Sequence, residues 1–260
     1  MVVSERRSNF ISYSKTHEGK VRALNEDALF CNDEKAVWVV ADGMGGHEAG
    51  DYASQLLVTL IEQRLNIVDS HDLTVTVLKT IILEANEKIK DYSVNQLNDE
   101  LVGTTVAILF IESGRYHCLW VGDSRIYLYR DKQLTQKTRD HSQVMDMVEQ
   151  GLISIENAEV HPKANIITRA VGVGYELDID EVSDIICDGD KFILCTDGLT
   201  KELNYVQMSD CLRAEKVKDS VLVLMHSALV KQASDNITCV MVQVFEDNES
   251  NDLDITIPIF

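Results

Sequence analysis

Three apolar runs close on the same acid. VWVVAD precedes Gly43, CLWVGD precedes Ser124 and FILCTD precedes Gly198, so Asp42, Asp123 and Asp197 each read as the end of a strand followed by a small residue. Two more acidic sites stand where strands begin, in Asn25-Glu26-Asp27 before ALFC and in Ser234-Asp235-Asn236 before ITCVMV. A lone strand-end aspartate is ordinarily a turn former, because an ionised carboxylate is costly to desolvate without a positive partner. Repetition of the pattern points elsewhere. If these strands are neighbours in two antiparallel sheets, their beginnings and ends meet at one edge and the carboxylates converge. At ~4 Å and an effective dielectric near 20, like charges repel by about 4 kcal/mol per pair, so the cluster calls for cations. The ligands are oxygens, with no matching His or Cys set, which favours Mg²⁺ or Mn²⁺ over Zn²⁺. Glycine after Asp42 and Asp197 lets the backbone bend sharply and approach an ion.

The elements that must position these acids are short and apolar. NFISYSK, DALFCN, AVWVVAD, TTVAILFIES, YHCLWVGD, RIYLYR, ELDIDEVSDI, DKFILCTD and NITCVMVQVF read as strands, several of them apolar on both faces. Between the third and fourth, Ala49, Ala53, Leu56, Leu57 and Leu60 recur at helical spacing, as do Val75, Leu78, Ile82, Ala85, Ile89 and Tyr92. A third helical pattern lies near 216–232, through Val217, Val221, Leu224, Met225 and Ala228. Strands in blocks with helices in pairs predict an α+β fold of two antiparallel sheets flanked by helices. With two prolines and no Gly/Ser linker, residues 8–246 read as one domain. Residues 141–166 interrupt the strand series as a surface excursion, read as a flap near the site. The tail, 247–260, is acidic and then apolar; its acidic part reads as disordered, with packing on the domain or docking of a partner as the alternatives.

Composition narrows the partners. The 43 acidic and 24 basic residues leave a formal net charge of -19, a field that repels phosphate backbones and anionic lipids and attracts divalent cations. No stretch approaches the roughly 18 apolar residues of a membrane span, and no export signal is visible at MVVSERRSNF. Six scattered cysteines without a CxxC pair, most of them inside apolar runs, read as reduced core residues, which fits a cytoplasmic protein.

GKVRALNEDALF, VVADGMGGHEAG, GTTVAILF, VGDSRIYLYR, DHS, ITRAVG, ILCTDGL and SDNITCVMV follow one another in an order that resembles the PP2C (PPM) family of metal-dependent Ser/Thr protein phosphatases, over residues from about 12 to 246. The resemblance implies a central β-sandwich between helical layers, a metal pair at one edge, and hydrolysis of phosphoserine and phosphothreonine in proteins. It implies that Asp42 bridges two ions, Mn²⁺ or Mg²⁺, with the Gly43 carbonyl helping to hold the second. Asp197 and Asp235 would hold the first, Glu26 and Asp27 would act mainly through metal-bound water, and Asp123 with Asp197 would recruit a third ion. Arg22, four residues before Glu26, matches the phosphate-binding arginine, whose planar fork suits two phosphate oxygens. Asn236 is expected to orient the strand start or a metal-bound water, and His141 to order its loop by hydrogen bonding. Thr104 and Thr105 are expected to support structure.

Magnitude sets the mechanism. Phosphate monoester hydrolysis calls for accelerations up to ~10²¹, whereas a general acid or base contributes about 10² to 10⁴. Two ions sharing a bridging water would therefore carry most of the catalysis, by supplying hydroxide and offsetting phosphoryl charge. No cysteine sits in a CxxxxxR phosphate loop. One position departs from the family: a histidine proposed as the general acid in some relatives follows the DG of VADG, and here it is Met44. Proton donation then falls to a metal-bound water or to His47. A non-catalytic scaffold version of the fold would be expected to lack Asp42, Asp197 or Asp235, and all three are present. A two-metal nuclease should carry a basic track, contrary to the net charge. The glycine-rich GMGGHEAG lacks the GK[ST] ending of a P-loop. The expected partners are phosphorylated proteins and a Ser/Thr kinase, with no nucleic acid or membrane, and the expected state is a monomer of bacterial type.

Overall fold

The structure is a computed structural model that describes residues 8–46, 49–98, 100–158 and 161–246. Its strands are β1 (Ser8–His17), β2 (Asp27–Asn32), β3 (Val37–Gly45), β4 (Val102–Thr104), β5 (Val106–Glu112), β6 (Arg115–Val121), β7 (Arg125–Arg130), β8 (Gln133–Gln136), β9 (Asp180–Ile185), β10 (Lys191–Cys195) and β11 (Ile237–Glu246). Its helices are α1 (Ala49–Leu65), α2 (Val75–Gln96), α3 (Gln143–Glu149), α4 (Ile155–Ala158), α5 (Asp197–Thr200), α6 (Tyr205–Cys211) and α7 (Val217–Val230). One sheet runs β1-β11-β10-β7-β8 and the other β2-β3-β5-β6-β9, with β4 added beside the end of β3. Every pairing is antiparallel.

Period-two alternation builds four layers from these strands. On β3, Trp38 and Val40 face the other sheet, where they join Leu109, Cys118, Leu128, Phe192, Leu194 and Val240 in a core between the sheets. Val37, Val39 and Ala41 face the opposite way, against Ala53, Leu57 and Ile61 of α1 and Leu78 and Ile82 of α2. The far side of the first sheet carries Ile193, Cys239 and Met241 against Val221, Leu224 and Met225 of α7. Central strands are thus covered on both faces, which is why their sequences are apolar at odd and even positions alike. The predicted α+β sandwich of two sheets flanked by helices is the observed architecture.

Several boundaries differ from the sequence expectation. β3 does not end at Asp42 but continues through it to Gly45, because β4 supplies partners for Gly43, Met44 and Gly45. β6 and β10 stop two residues before their aspartates, and Asp197 opens the helical turn α5. β8, with the polar sequence QLTQ, and α6, closed by a capping box between Asn204 and Gln207, were not predicted. The segment 141–166 contains α3 and α4. The tail 247–260 lies outside the described residues.

The glycines after Asp42 and Asp197 serve backbone packing. A Cβ on Gly43 would lie 2.0 Å from the Gly50 carbonyl oxygen, and one on Gly198 would lie 1.9 Å from that of Asn236. Gly43 therefore lets β3 touch the start of α1, and Gly198 lets α5 touch the start of β11. No left-handed conformation is required at either position.

Candidate metal centre

The two sheets bring the acids to one edge. Asp27 and Asp42 face each other in the β2–β3 register, Asp123 follows β6, Asp197 follows β10, and Asp235 precedes β11. A cavity of about 490 Å³ opens there, and Arg22, Glu26, Asp42, Gly43, Asp123, Asp197, Asp235 and Asn236 all line it. Asp27, paired with the cavity-lining Asp42, is only 3% exposed. His141 stands behind Asp123. Its Nδ1 accepts the Gly122 amide at 3.0 Å and its own amide donates to the Gly122 carbonyl at 2.9 Å, which fixes the turn carrying Asp123. The His141 ring stacks on Trp120, and its Nε2 lies 3.3 Å from Asp180.

Neutral groups hold the acids in place. Oδ2 of Asp27 accepts from Thr196 Oγ1 at 2.8 Å and from Thr238 Oγ1 at 2.7 Å, which ties the two sheets together. The Asp42 amide donates to Thr105 Oγ1 at 2.9 Å, and its carbonyl accepts from the Thr105 amide and from Thr104 Oγ1. Asn236 fastens the loop that carries Arg22 and Glu26. Its Oδ1 accepts the Glu26 amide at 2.9 Å, while its Nδ2 donates to the carbonyls of Leu24 and Glu18. The Glu26 carbonyl in turn accepts from the Gly43 amide and Ser54 Oγ.

Charge is left uncompensated. Oδ1 of Asp27 and Oδ1 of Asp197 are buried without a hydrogen-bond partner, a state that is costly unless something absent from the protein fills it. Burial, and after it the charges of Asp27, Asp197, Asp123 and Asp235, push the Asp42 carboxyl well above its usual range. Burial raises Asp27 to about 7, against the pull of its two threonines and with the push of Asp197 and Asp235. Burial and Asp197 raise Asp123 to about 7. Asp197 and Glu26 are raised as well, burial again coming first. Asp235 goes the other way: burial works to raise it, but Lys201 and Arg22 outweigh burial and lower it. An all-oxygen set of clustered carboxylates, two of them with unpaired buried oxygens, fits divalent Mn²⁺ or Mg²⁺.

Lys201 is the site residue that the sequence reading missed. Its Nζ lies 2.6 Å from Asp197 Oδ2 and 3.0 Å from Asp235 Oδ2. The signal is a lysine four residues after Asp197, a spacing that pairs side chains on a helix, whereas FILCTD reads as a strand ending at Asp197. Arg22 is half exposed and meets Asp235 Oδ1 through Nη2 at 3.0 Å. Met44 lines the cavity, and His47 lies outside the described residues.

An antiparallel sandwich between helical layers, with a carboxylate cluster at its edge, defines the architecture of the metal-dependent protein phosphatases. A sequence profile of the family described as Protein phosphatase 2C matches residues 15–240, and the chain belongs to that family. It is 33% identical over 237 residues to the serine/threonine phosphatase stp of Listeria monocytogenes, an alignment that covers 88% of this chain and 94% of that protein. Among solved structures, PppA of Pseudomonas aeruginosa, described as a key regulatory component of its T6SS, superposes with a TM-score of 0.82 at 35% identity, covering 92% of this chain and all of that one. The catalytic domain of the phosphatase PstP, solved in complex with two manganese ions, superposes with a TM-score of 0.83 at 30% identity, covering 92% of this chain and 100% of that one.

Proposed function

We propose that residues 8–246 form a catalytic unit that hydrolyses phosphoserine and phosphothreonine in proteins at a binuclear Mn²⁺ or Mg²⁺ centre on the sandwich edge. The observation that carries this is the gathering of Asp42, Asp123, Asp197 and Asp235 on one cavity, with Asp27 opposite Asp42 in the β2–β3 register and buried, unpaired oxygens on Asp27 and Asp197. Membership of the protein phosphatase 2C family makes the chain a metal-dependent Ser/Thr phosphatase. In this reading Asp42 would be shared by the two ions, the Gly43 carbonyl would help to hold the second, Asp197 and Asp235 would hold the first, and Glu26 and Asp27 would act mainly through water. Asp123, with Asp197, offers a place for a third.

Bound divalent cations supply an acidified water and offset the charge of a phosphoryl group. The chain's own groups orient the substrate. Arg22, which lines the cavity with Nη2 on Asp235, is the residue proposed to bind two phosphoryl oxygens through its planar fork. Asn236 holds the Arg22 loop at the centre, and His141 holds the Asp123 turn. Met44 has no proton to donate, so the leaving oxygen would take its proton from water at the centre or from His47.

The same proposal includes a cytoplasmic protein acting as a monomer against a partner Ser/Thr kinase. Unpaired cysteines fit a reducing compartment. Among the described residues, no helix is long and apolar enough to cross a membrane. Residues 141–166 are proposed as a flap, since Asn165 and, just beyond, Ile167 line the cavity. The test is hydrolysis of p-nitrophenyl phosphate and a phosphothreonine peptide with Mn²⁺, Mg²⁺ or EDTA, beside Asp197→Asn. Cation-dependent turnover that vanishes in the variant is expected. A folded protein inactive with both metals would leave the scaffold reading in its place.

A further inference from the structure

The fold delivers a positive charge into the acidic cluster. The Lys201 amide donates to the Asp197 carbonyl at 2.8 Å, so the turn of α5 folds the Lys201 ammonium back over the Asp197 carboxylate and across to Asp235. These are the two acids proposed above to hold the first cation. An ammonium is a compact charge with three donors, and here two of them occupy oxygens that a divalent ion would need.

We propose that Lys201 is a resident counter-cation that competes with the divalent ion for Asp197 and Asp235, and so sets the cation concentration at which the centre fills. The inference rests on the cation-site reading of those carboxylates. Two features support the exchange. Lys201 leaves the cluster incompletely served, because Oδ1 of Asp197 remains buried and unpaired beside it. The displaced side chain also has somewhere to go: Lys201 lines both the cavity at the sandwich edge and a second of about 620 Å³, which joins it at Asp123, Asn165 and Asp197 and presents Glu202 on its wall, while its Asp140 is already held by Arg125. No covalent bond changes in the exchange. One ammonium leaves two carboxylates as a dication enters.

The test is Mn²⁺ titration calorimetry on the wild type, on Lys201→Met, which keeps the stem and removes the charge, and on Lys201→Arg, which keeps the charge. Release of one charge-assisted competitor predicts Mn²⁺ binding about tenfold tighter or more in the Met variant, with the Arg variant near the wild type. A second readout uses the unaltered chain: acetic anhydride labelling of Lys201, followed by peptide mass spectrometry, is expected to be slow in EDTA and faster with Mn²⁺. Equal or weaker Mn²⁺ binding by Lys201→Met would overturn the inference, as would labelling indifferent to Mn²⁺. If the Met variant does not fold in EDTA, the labelling decides. Absence of Mn²⁺ binding in the folded wild type would remove the cation-site reading, and this inference with it.

Discussion

Replacing Asp27 with Asn separates a cation site from a merely structural acid. Asp27 is 3% exposed, and both threonine hydroxyls donate to Oδ2, so the amide oxygen of Asn can keep those two bonds. The amide nitrogen would then take the place of the unpaired Oδ1. Burial raises Asp27 to about 7 from 3.8, and a shift of about three units corresponds to ~4 kcal/mol. The sign follows from proton linkage: a carboxyl with a raised folded pKa supports the fold fully below the unfolded value, and that support is lost as pH climbs through the folded one. Asn does not titrate. In EDTA the variant should therefore match the wild type near pH 4, pull ahead between about 4 and 7, and lead by ~4 kcal/mol at pH 8. For a chain of this size that is roughly 10 °C in melting temperature. Mn²⁺ at a hundred times its dissociation constant should add about 2.7 kcal/mol to the wild type and less to the variant, narrowing the gap. Differential scanning fluorimetry across pH, with EDTA and with Mn²⁺, measures all of this. A variant less stable than the wild type in EDTA at pH 8, or a gap that ignores pH, would refute the reasoning.

Arg22→Lys should leave the melting temperature unchanged, because the side chain is half exposed, yet cut kcat/KM for a phosphopeptide by about 10- to 100-fold through loss of the planar fork; an unchanged kcat/KM would remove Arg22 from phosphate binding. Gly198→Ala should destabilise by about 3 kcal/mol in chemical denaturation, since its Cβ would lie 1.9 Å from the Asn236 carbonyl oxygen. Arg130→Met should cost about 3 kcal/mol, because it strands the Asp190 carboxylate, 1% exposed and held by Arg130 at 2.6 Å; a loss under about 1 kcal/mol would place that pair among surface ion pairs.

What the sequence disclosed follows from which forces act locally. The central strands were legible because burial on both faces demands apolar residues at every position, as in Val37 to Ala41. The acids were legible because each interrupts such a run. α5 was hidden by the same pattern: Asp197-Gly198 after FILC looks like a strand end, whereas in the fold the chain turns helical there with Gly198 packed against Asn236. With α5 went Lys201, whose partnership depends on that turn. β8 has one buried residue in four, Leu134, and its pairing with β7 carries it without an apolar signature. The bidentate pairing of Arg125 with Asp140, fifteen residues away, depends on tertiary approach and has no local sign. The glycines after Asp42 and Asp197 also let the backbone pack closely against α1 and β11, a role that only the assembled layers reveal.

The central claim is that the sandwich edge holds divalent cations. Anomalous diffraction from crystals of the wild-type protein grown with Mn²⁺ tests it most directly. Peaks are expected in the cavity bounded by Asp42, Asp197 and Asp235, with Lys201 withdrawn from Asp197. An empty edge, with manganese found only at an exposed acidic group such as Asp69, His71 and Asp72, would contradict it.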